Sequence, residues 1–401
     1  MPNEGSQQTN TLGVTASRGF RAAGVSSGLK PNGALDLALI ISDSDCTCAG
    51  MFTTNRVQAA PVLYDKSVLA KNKTAIRAVV ANSGCANACT GEAGLEDTRA
   101  TAEATAQAVG CRADQVLVLS TGVIGQRLNM PKLLAGIALG GTRLDCAGGE
   151  DASRAIMTTD TRPKVSVIKK PSYTIGGMAK GSGMIHPNMA TMLSVITTDA
   201  KIAPALLDRA LRAAVGQSFN RITVDGDMST NDTILLLANG AVGKEIGESE
   251  IREFTDALTA VCTDLAKQLV RDGEGATKFV EIKVTGAQDE TDAAQVAKAI
   301  AHSPLVKTAI YGGDANWGRV VAAAGYSGVA VDPAKVKLWF GEVNVFSNGM
   351  PTDFDEADST RAIADKDVFI RIDLGMGSTS TTVWTCDLSH DYVTINGKYR
   401  T

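Results

Sequence analysis

Residues 180–193 carry the clearest chemical pattern in the sequence. They read KGSGMIHPNMATML, a loop rich in Gly, Ser and Pro that ends in Ala190 and Thr191 and leads into an apolar run. This layout is typical of a chain that cuts itself and releases an N-terminal threonine. The hydroxyl of such a threonine is a weak nucleophile, but its own α-amino group, with a pKa of about 7.7–8.0, serves as the general base. Before cleavage, the same hydroxyl could attack the Ala190 carbonyl, shift the acyl group from nitrogen to oxygen and leave an ester for water to hydrolyse.

A second pattern supplies a candidate oxyanion hole. Residues 120–125 read STGVIG and follow a predicted strand over residues 115–120. A hydroxyl and a backbone N–H at a strand-to-turn junction can stabilise the oxyanion that forms when a nucleophile attacks a carbonyl. Each short motif by itself also fits an ordinary turn or loop-to-strand junction. The rest of the sequence is therefore needed to distinguish a catalytic role of these motifs from a purely structural one.

The wider sequence resembles one enzyme family. Residues 180–200, KGSGMIHPNMATMLSVITTDA, resemble the self-cleavage and nucleophile motif of the ornithine acetyltransferases of arginine biosynthesis. Further segments are similar to that family in the family's own order: GFRAAGVSSGLK, FTTNRVQAAPV, NSGCANACTG, LVLSTGVIG, IMTTDTRPK, DGDMSTNDT, DGEGATKF, GGDANWGRV, IRIDLGMG and INGKYRT. The resemblance covers nearly the whole chain. Its one noted departure is Cys85, where the family more often has another small or polar residue, and this affects no catalytic position.

The resemblance implies acyl transfer through a covalent acetyl-threonine. Acetyl would pass from N2-acetyl-L-ornithine to Thr191, ornithine would leave, and L-glutamate would take the acetyl group. Thr191 would also attack Ala190 in self-cleavage, and the Thr121 hydroxyl and Gly122 amide would hold the oxyanion. The resemblance leaves open whether acetyl-CoA is a second donor.

The resemblance also implies how the chain is divided and assembled. Self-cleavage would give an α chain of residues 1–190, with the oxyanion hole, and a β chain of residues 191–401, with the nucleophile. The two interleaved chains would pair as a heterotetramer of two α and two β chains. The implied fold is an α/β (α+β) fold of mixed sheets with packed helices, similar to DmpA and the ornithine acetyltransferases.

Acetylornithine carries a carboxylate and a distal ammonium, so its pocket requires a cation and an anion. The substrate contacts that the resemblance implies are Thr158, Lys180, Thr191, Glu274, Asn396 and Thr401. Without the resemblance, Lys180 and Glu274 would be interpreted as surface charges. Thr159 adjoins Thr158, so the choice between these two threonines stays open.

Composition and charge exclude several function classes. The 401 residues carry 39 basic and 43 acidic side chains, a net charge of −4, so nothing attracts nucleic acid or an anionic membrane. No run approaches the roughly 18 apolar residues of a membrane span, and the first residues show no secretory or transit pattern. We therefore expect a cytoplasmic protein whose eight cysteines are reduced.

No metal or cofactor is predicted. The three histidines lie far apart in the sequence, and the CTC and CANAC motifs lack the paired ligands of a zinc site. The segment DGDMSTND begins like a calcium loop, but Thr230 and Leu236 stand where that loop needs Gly and Glu. DGEGATK lacks the spacing of a phosphate-binding loop, and GSG at 181–183 lacks the third glycine of a dinucleotide fingerprint.

Hydrophobic periodicity predicts the elements that position these residues. Strands are expected at residues 35–42, 75–82, 115–120, 193–197, 278–285, 307–311 and 335–340. Helices are expected at residues 97–109, 150–158, 204–215, 248–269 and 292–301. The last third of the chain reads strand-rich, and four glycine-dense connections (122–125, 176–183, 312–318 and 375–377) are expected to converge on one place.

Two other functions remain open from the residues. A self-processing amidase or aminopeptidase would use the same nucleophile and pass the acyl group to water. A non-catalytic amino-acid-binding protein would not need both the Thr121–Gly122 and Ala190–Thr191 pairs. The charged pair of Lys180 and Glu274 and the order of segments favour transfer.

Overall fold

Two large β-sheets with packed helices form the fold, and the computed structural model describes residues 11–186 and 192–398. The strands of these residues are β1 Phe20–Val25, β2 Leu37–Phe52, β3 Ile76–Cys85, β4 Val116–Val123, β5 Lys164–Lys170, β6 Tyr173–Lys180, β7 Leu193–Thr198, β8 Lys201–Ile202, β9 Thr233–Ala238, β10 Glu245–Ile246, β11 Phe279–Ala287, β12 Lys337–Phe340, β13 Val343–Ser347, β14 Met350–Pro351, β15 Asp367–Asp373 and β16 Thr379–Cys386. The α-helices are α1 Ala60–Lys71, α2 Gly91–Val109, α3 Met130–Gly141, α4 Gly149–Ala155, α5 Pro204–Gln217, α6 Ile251–Arg271, α7 Glu290–His302, α8 Pro304–Gly312, α9 Trp317–Gly325, α10 Glu356–Ala362 and α11 His390–Lys398. Short 3-10 helices lie at Gly13–Thr15, Pro31–Gly33, Ala113–Gln115 and Phe219–Arg221.

The larger sheet folds back on itself through the long strand β2. Its order is β4-β3-β2-β9-β7-β6-β5, with β1 paired to β2. The first half of β2 pairs with β1 and β3, and the second half pairs with β9, with a register shift between Ile41 and Cys46. The polar residues at 43–45 are exposed at this shift. The two halves of the sheet enclose one apolar layer, which contains side chains from β2, β3, β4, β6, β7 and β9.

Strands β7 and β9 lie in the middle of this arrangement and are buried at every position. Alternate residues face opposite layers: Ile196 and Leu236 pack toward α5 and α6, whereas Val195 and Leu235 pack into the layer between the sheet halves. The other half of the sheet is covered on its outer face by α2 and α3. Helices therefore cover both outer faces of a folded sheet, and the mixed α/β class expected from the sequence is confirmed.

The smaller sheet has the order β14-β13-β12-β15-β11-β16 and a core of its own with helices α7, α8 and α9. No helix among the described residues is both long and apolar enough to cross a membrane.

Six of the seven predicted strands and all five predicted helices overlap elements of the structure, although β2 continues ten residues past its predicted end, but residues 307–311 do not form a strand. They lie in helix α8, which starts with Ser303 as its N-cap and Pro304 in its first turn. Its buried apolar residues Val306, Ala309 and Ile310 follow helical spacing. In the described part of the last third, helices α7 to α11 contain more residues than strands β11 to β16, and the expectation of a strand-rich end was wrong.

Two predicted helices differ from the structure in their ends. Helix α2 begins at Gly91 rather than Asp97, and Asp97 is a buried interior residue paired with Arg127. Helix α4 covers Gly149–Ala155 and stops before Thr158. This early stop matters because it leaves Thr158 in an irregular segment near the candidate site.

Candidate active site

One cavity collects most of the side chains that the sequence singled out. Its walls come from the ends of β4 and β6, the segment before β9, the loop after α6 and helix α11. The lining residues are Ala86, Thr121, Gly122, Ile124, Thr158, Thr159, Lys180, Gly183, Met184, Asp225, Asp227, Ser229, Thr230, Asn231, Glu274, Tyr392 and Asn396. Six of these were predicted as oxyanion or substrate residues, although their positions span 276 places in the chain.

Ala190, Thr191 and Thr401 lie outside the described residues, so their predicted roles stay predictions. The structure does describe Met192, the residue that follows Thr191. The backbone N–H of Met192 donates to Asp232 Oδ1 at 3.0 Å, and the Met192 carbonyl accepts from the Thr233 N–H at 3.0 Å. The start of β7 is therefore bound to the start of β9 beside the cavity.

The Thr121–Gly122 pair ends strand β4 in a geometry that only glycine can adopt. Gly122 has φ +131°, and an added Cβ would lie 2.3 Å from the Gly84 carbonyl carbon in the neighbouring strand. A side chain at this position would therefore force apart the paired ends of β3 and β4. Thr121 is buried and stands directly before this glycine.

Lys180 is the cation that faces Thr121. Its Nζ donates to Thr121 Oγ1 at 3.0 Å, and its side chain is almost completely buried at the end of β6. An ammonium has no acceptor, so the Thr121 oxygen must accept this bond and its O–H proton is left to donate elsewhere. The contact thus directs the Thr121 hydroxyl as a donor and places positive charge beside it, as an oxyanion hole requires.

The pKa of Lys180 reflects opposing influences. Burial lowers it, while the carboxylates of Asp160, Asp232 and Glu274 act to raise it. Burial outweighs these carboxylates, so the pKa of Lys180 is lower than that of an exposed lysine.

Asp160 connects the segment of Thr158 to Gly181, the residue that follows Lys180. Its Oδ2 accepts from the Thr158 N–H at 2.9 Å, and its Oδ1 accepts from the Gly181 N–H at 2.7 Å and from Lys164 Nζ at 2.6 Å. Lys164 is fully buried and also donates to Asp272 at 2.6 Å. Burial alone would raise the pKa of Asp160, but the charges of Lys164 and Lys180 and its hydrogen bonds lower it to about 2.

Replacing Asp160 with asparagine is expected to destabilise the protein by on the order of 3 kcal/mol at pH 7, because Lys164 would lose one of its two buried carboxylate partners. The folded pKa of Asp160 is about 2, below the ordinary value of about 3.9. Its contribution is therefore fully present above about pH 4 and is lost as the pH falls toward 2. Urea unfolding at pH 7 and pH 3 should show the difference between wild type and D160N shrinking at the lower pH. Asp114, an exposed aspartate paired with Arg112, provides the control, and D114N should change stability little at either pH.

Glu274 and Asn396 form the opposite wall. Asn396 Nδ2 donates to Glu274 Oε2 at 2.8 Å and so joins helix α11 to the loop after α6. Gly183 lies against Glu274, and a Cβ there would sit 2.3 Å from the carboxylate. The cavity therefore presents a buried cation on one side and a carboxylate on the other.

The structure distinguishes between Thr158 and Thr159 as the candidate substrate contact. Thr159 Oγ1 shares a 2.6 Å hydrogen bond with Ser182 Oγ, so its hydroxyl is already engaged. The Thr158 hydroxyl, which also lines the cavity, has no hydrogen-bond partner among residues 11–186 and 192–398. Thr158 is thus the better placed of the two to bind a ligand.

Sequence reasoning missed the segment that precedes β9, which it interpreted only as a failed calcium loop. Asp225 accepts from the Met184 and Ile185 N–H groups at 2.6 and 2.9 Å and from the Tyr392 hydroxyl at 3.3 Å. Burial raises the pKa of Asp225. Asn231 Nδ2 donates to the Ser120 and Ala86 carbonyls at 2.8 and 2.7 Å, which fixes the end of β4. The available signal was a run of mostly small, polar residues directly before a strand that is apolar from Ile234 to Ala238.

Two further expectations need correction. Gly122 and Gly183 line the cavity, but the glycine-dense loops at 312–318 and 375–377 do not, so only two of the four loops converge there. Two of the histidines that are distant in sequence meet: His186 Nδ1 and His302 Nε2 are 3.0 Å apart. Burial and neighbouring cations lower the pKa of His302 to about 4. Within the described ranges, no group of three or more His, Cys, Asp or Glu side chains is arranged to hold a metal ion.

The chain is similar to a known protein family, to named proteins of that family and to solved structures. The ArgJ family model matches residues 21–401. The chain is 51% identical to the arginine biosynthesis bifunctional protein ArgJ of Symbiobacterium thermophilum, over 97% of this chain and 98% of that protein. It is 48% identical to the protein of the same name from Geobacter sulfurreducens, over 96% and 99% of the two chains. Among solved structures, it is similar to ArgJ from Bacillus halodurans, with 43% identity, TM-score 0.49, and coverage of 51% of this chain and 97% of that one. It is also similar to an ornithine acetyltransferase complexed with ornithine from Mycobacterium tuberculosis, with 47% identity, TM-score 0.43, and coverage of 46% and 97%.

Proposed function

This chain belongs to the ArgJ family, which its match over residues 21–401 establishes, and from that premise we propose that it transfers the acetyl group of N2-acetyl-L-ornithine to L-glutamate. The products are ornithine and N-acetylglutamate, and the enzyme forms an acetyl-threonine intermediate at Thr191. The observation that carries the proposal is the 3.0 Å contact between Lys180 Nζ and Thr121 Oγ1, in a cavity that also holds Glu274. Relatives are named bifunctional. Our proposal includes acetyl-CoA as a second acetyl donor.

Self-cleavage comes first in this proposal. The Thr191 hydroxyl attacks the carbonyl carbon of Ala190, and the resulting oxyanion is held by the Thr121 hydroxyl and the Gly122 N–H. The bond between the Ala190 carbon and the Thr191 nitrogen breaks, and that nitrogen takes up the proton that the hydroxyl loses. Water then hydrolyses the ester, which leaves a carboxylate on Ala190 and restores the Thr191 hydroxyl.

In turnover, the released α-amino group of Thr191 takes the proton of its own hydroxyl as the hydroxyl attacks the acetyl carbonyl. The same proton passes to the nitrogen of ornithine as the amide bond breaks. The amino group of glutamate then attacks the acetyl-threonine and takes the acetyl group. One set of oxyanion donors therefore serves self-cleavage and both halves of the transfer.

The charges of the cavity support a substrate with two ionic ends. Lys180 provides the cation for a carboxylate, and Glu274, held by Asn396, provides the anion for an ammonium. The Thr158 hydroxyl has no hydrogen-bond partner within the described part of the chain and can serve the ligand, and we assign Thr401 to the same pocket. The proposal also includes a cytoplasmic enzyme built as a heterotetramer of two 1–190 and two 191–401 chains.

Steady-state kinetics and mass spectrometry test this function. Because the acetyl group passes through Thr191, double-reciprocal plots for acetylornithine and glutamate should be parallel. Acetylornithine supplied without glutamate should leave one acetyl group on the 191–401 piece, and added glutamate should remove it. Intersecting lines without a trapped species would contradict the covalent intermediate, and loss of the acetyl group to water at the same rate with and without glutamate would indicate an amidase.

A further inference from the structure

The structure contains a buried carboxyl group beside the proposed cleavage site that the mechanism above does not use. Asp232 is 1% exposed and is the last residue before strand β9. Its Oδ1 accepts from the Met192 N–H at 3.0 Å, whereas its Oδ2 is buried and makes no hydrogen bond to the described part of the chain. A buried polar atom without a partner costs about 1–3 kcal/mol, so its presence calls for a reason.

The amino nitrogen of residue 191 belongs to the residue bonded directly to Met192, whose N–H binds this carboxyl group. That nitrogen is separated from the Met192 nitrogen by only two backbone atoms, which keeps the two nitrogens within about 4 Å of each other in any conformation. Cleavage between Ala190 and Thr191 would convert it from an amide into an ammonium. The carboxyl group would then gain a cation and hydrogen-bond donor at the edge of its existing contact.

We propose that Asp232 is the positioning residue of the N-terminal nucleophile: Oδ1 holds the first peptide N–H after Thr191, and Oδ2 receives the α-amino group that cleavage releases. This assignment rests on the proposed function, because the amino group exists only after cleavage. It gives a reason why Oδ2 has no hydrogen-bond partner among residues 11–186 and 192–398. It also fixes the amino group, so that the group can take the proton of its own hydroxyl.

The groups around Asp232 agree with this role. Burial raises the pKa of Asp232 well above its ordinary value, while the hydrogen bond from the Met192 N–H, the charge of Lys180 and the nearby hydroxyls of Thr53 and Ser229 act to lower it. The pKa of Lys180 is itself affected by the charges of Asp160, Lys164, Asp232 and Glu274. A new ammonium next to Asp232 would stabilise its carboxylate, and the carboxylate would in turn raise the pKa of the amino group.

The pH profile of the cleaved enzyme distinguishes positioning from packing. Asp232→Asn keeps an acceptor oxygen for the Met192 N–H but removes the carboxylate. D232N should therefore cleave itself, while the acid limb of kcat/KM, which reports the free amino group, should move to lower pH by about one unit.

Asp65 is a matched control. It is also fully buried, its Oδ1 accepts from the Val118 N–H at 2.8 Å, and its Oδ2 has no hydrogen bond within the described ranges. It differs from Asp232 because its partner lies in strand β4, not next to the cleavage site. D65N should leave the acid limb where it is in the wild type.

Three results would overturn the assignment. Cleaved D232N with a wild-type acid limb, or an equal shift in D65N, would reduce Asp232 to a packing residue. A folded D232N that stays uncleaved would also refute it, because the amino group does not exist before cleavage. If D232N is insoluble, Asp232→Glu displaces the carboxylate by one methylene, and cleaved D232E should lose at least about tenfold in kcat. Wild-type kcat in D232E would contradict the proposal, whereas an uncleaved wild-type chain would refute the proposed function itself.

Discussion

Thr191→Ala is expected to remain a single polypeptide of 401 residues and to lose acetyl transfer by at least about 10⁴-fold, because both the hydroxyl and the release of its α-amino base are removed. Wild-type protein should instead separate, without any reductant, into pieces of 190 and 211 residues. N-terminal sequencing of the second piece should read Thr-Met-Leu-Ser. Electrophoresis, sequencing and an acetylornithine-to-glutamate assay check these outcomes together.

Thr191→Ser provides the control for this first prediction. Serine keeps a hydroxyl and, once released, an α-amino group, so T191S should cleave itself and retain measurable transfer. Uncleaved wild-type protein with full activity would exclude the N-terminal nucleophile. A cleaved T191A with wild-type turnover would exclude it equally.

Thr121→Val is expected to lower kcat by about 10²–10³-fold, because it removes one oxyanion donor while keeping the shape of the side chain. KM for acetylornithine should change much less, since the oxyanion forms only in the transition state. Self-cleavage should also slow, because it uses the same donors. The rate should therefore be measured per mole of cleaved enzyme.

Two further variants sharpen this second prediction. Thr105 is a buried threonine of helix α2 whose hydroxyl donates to the Thr101 carbonyl at 2.8 Å, so T105V should leave kcat close to the wild-type value. Lys180→Met should lower kcat as well as raise KM, because Lys180 directs the Thr121 hydroxyl. Wild-type kcat in cleaved T121V would assign the oxyanion to another donor, and a change in KM alone in K180M would limit Lys180 to substrate binding.

Local sequence patterns were sufficient to predict the framework of the site. The apolar runs that form β4 and β7 were predicted as strands, and the Thr-Gly pair stands at the end of the first and the Ala-Thr pair just before the second. Those signals are local, because strand formation and the conformational freedom of glycine depend on neighbouring residues. The prediction of a strand over residues 307–311 was wrong because it overlooked another local signal. Ser303 and Pro304 are typical of a helix start, and a helix begins there.

Only the tertiary structure decided which charged residues belong to the site. Asp65, Asp114 and Asp232 look alike in the sequence, yet the first and third are buried and the second is exposed. Lys180 and Thr121 are 59 positions apart and meet only because β6 and β4 end at the same cavity. The amino-acid sequence alone was enough to identify the family, to propose the nucleophile and to predict six of the sixteen strands among the described residues. The partners of Lys180, Asp160 and Asp232 were decided by packing, because burial and the distance to other charges control the ionisation and hydrogen bonding of a side chain, and both depend on residues far away in the chain.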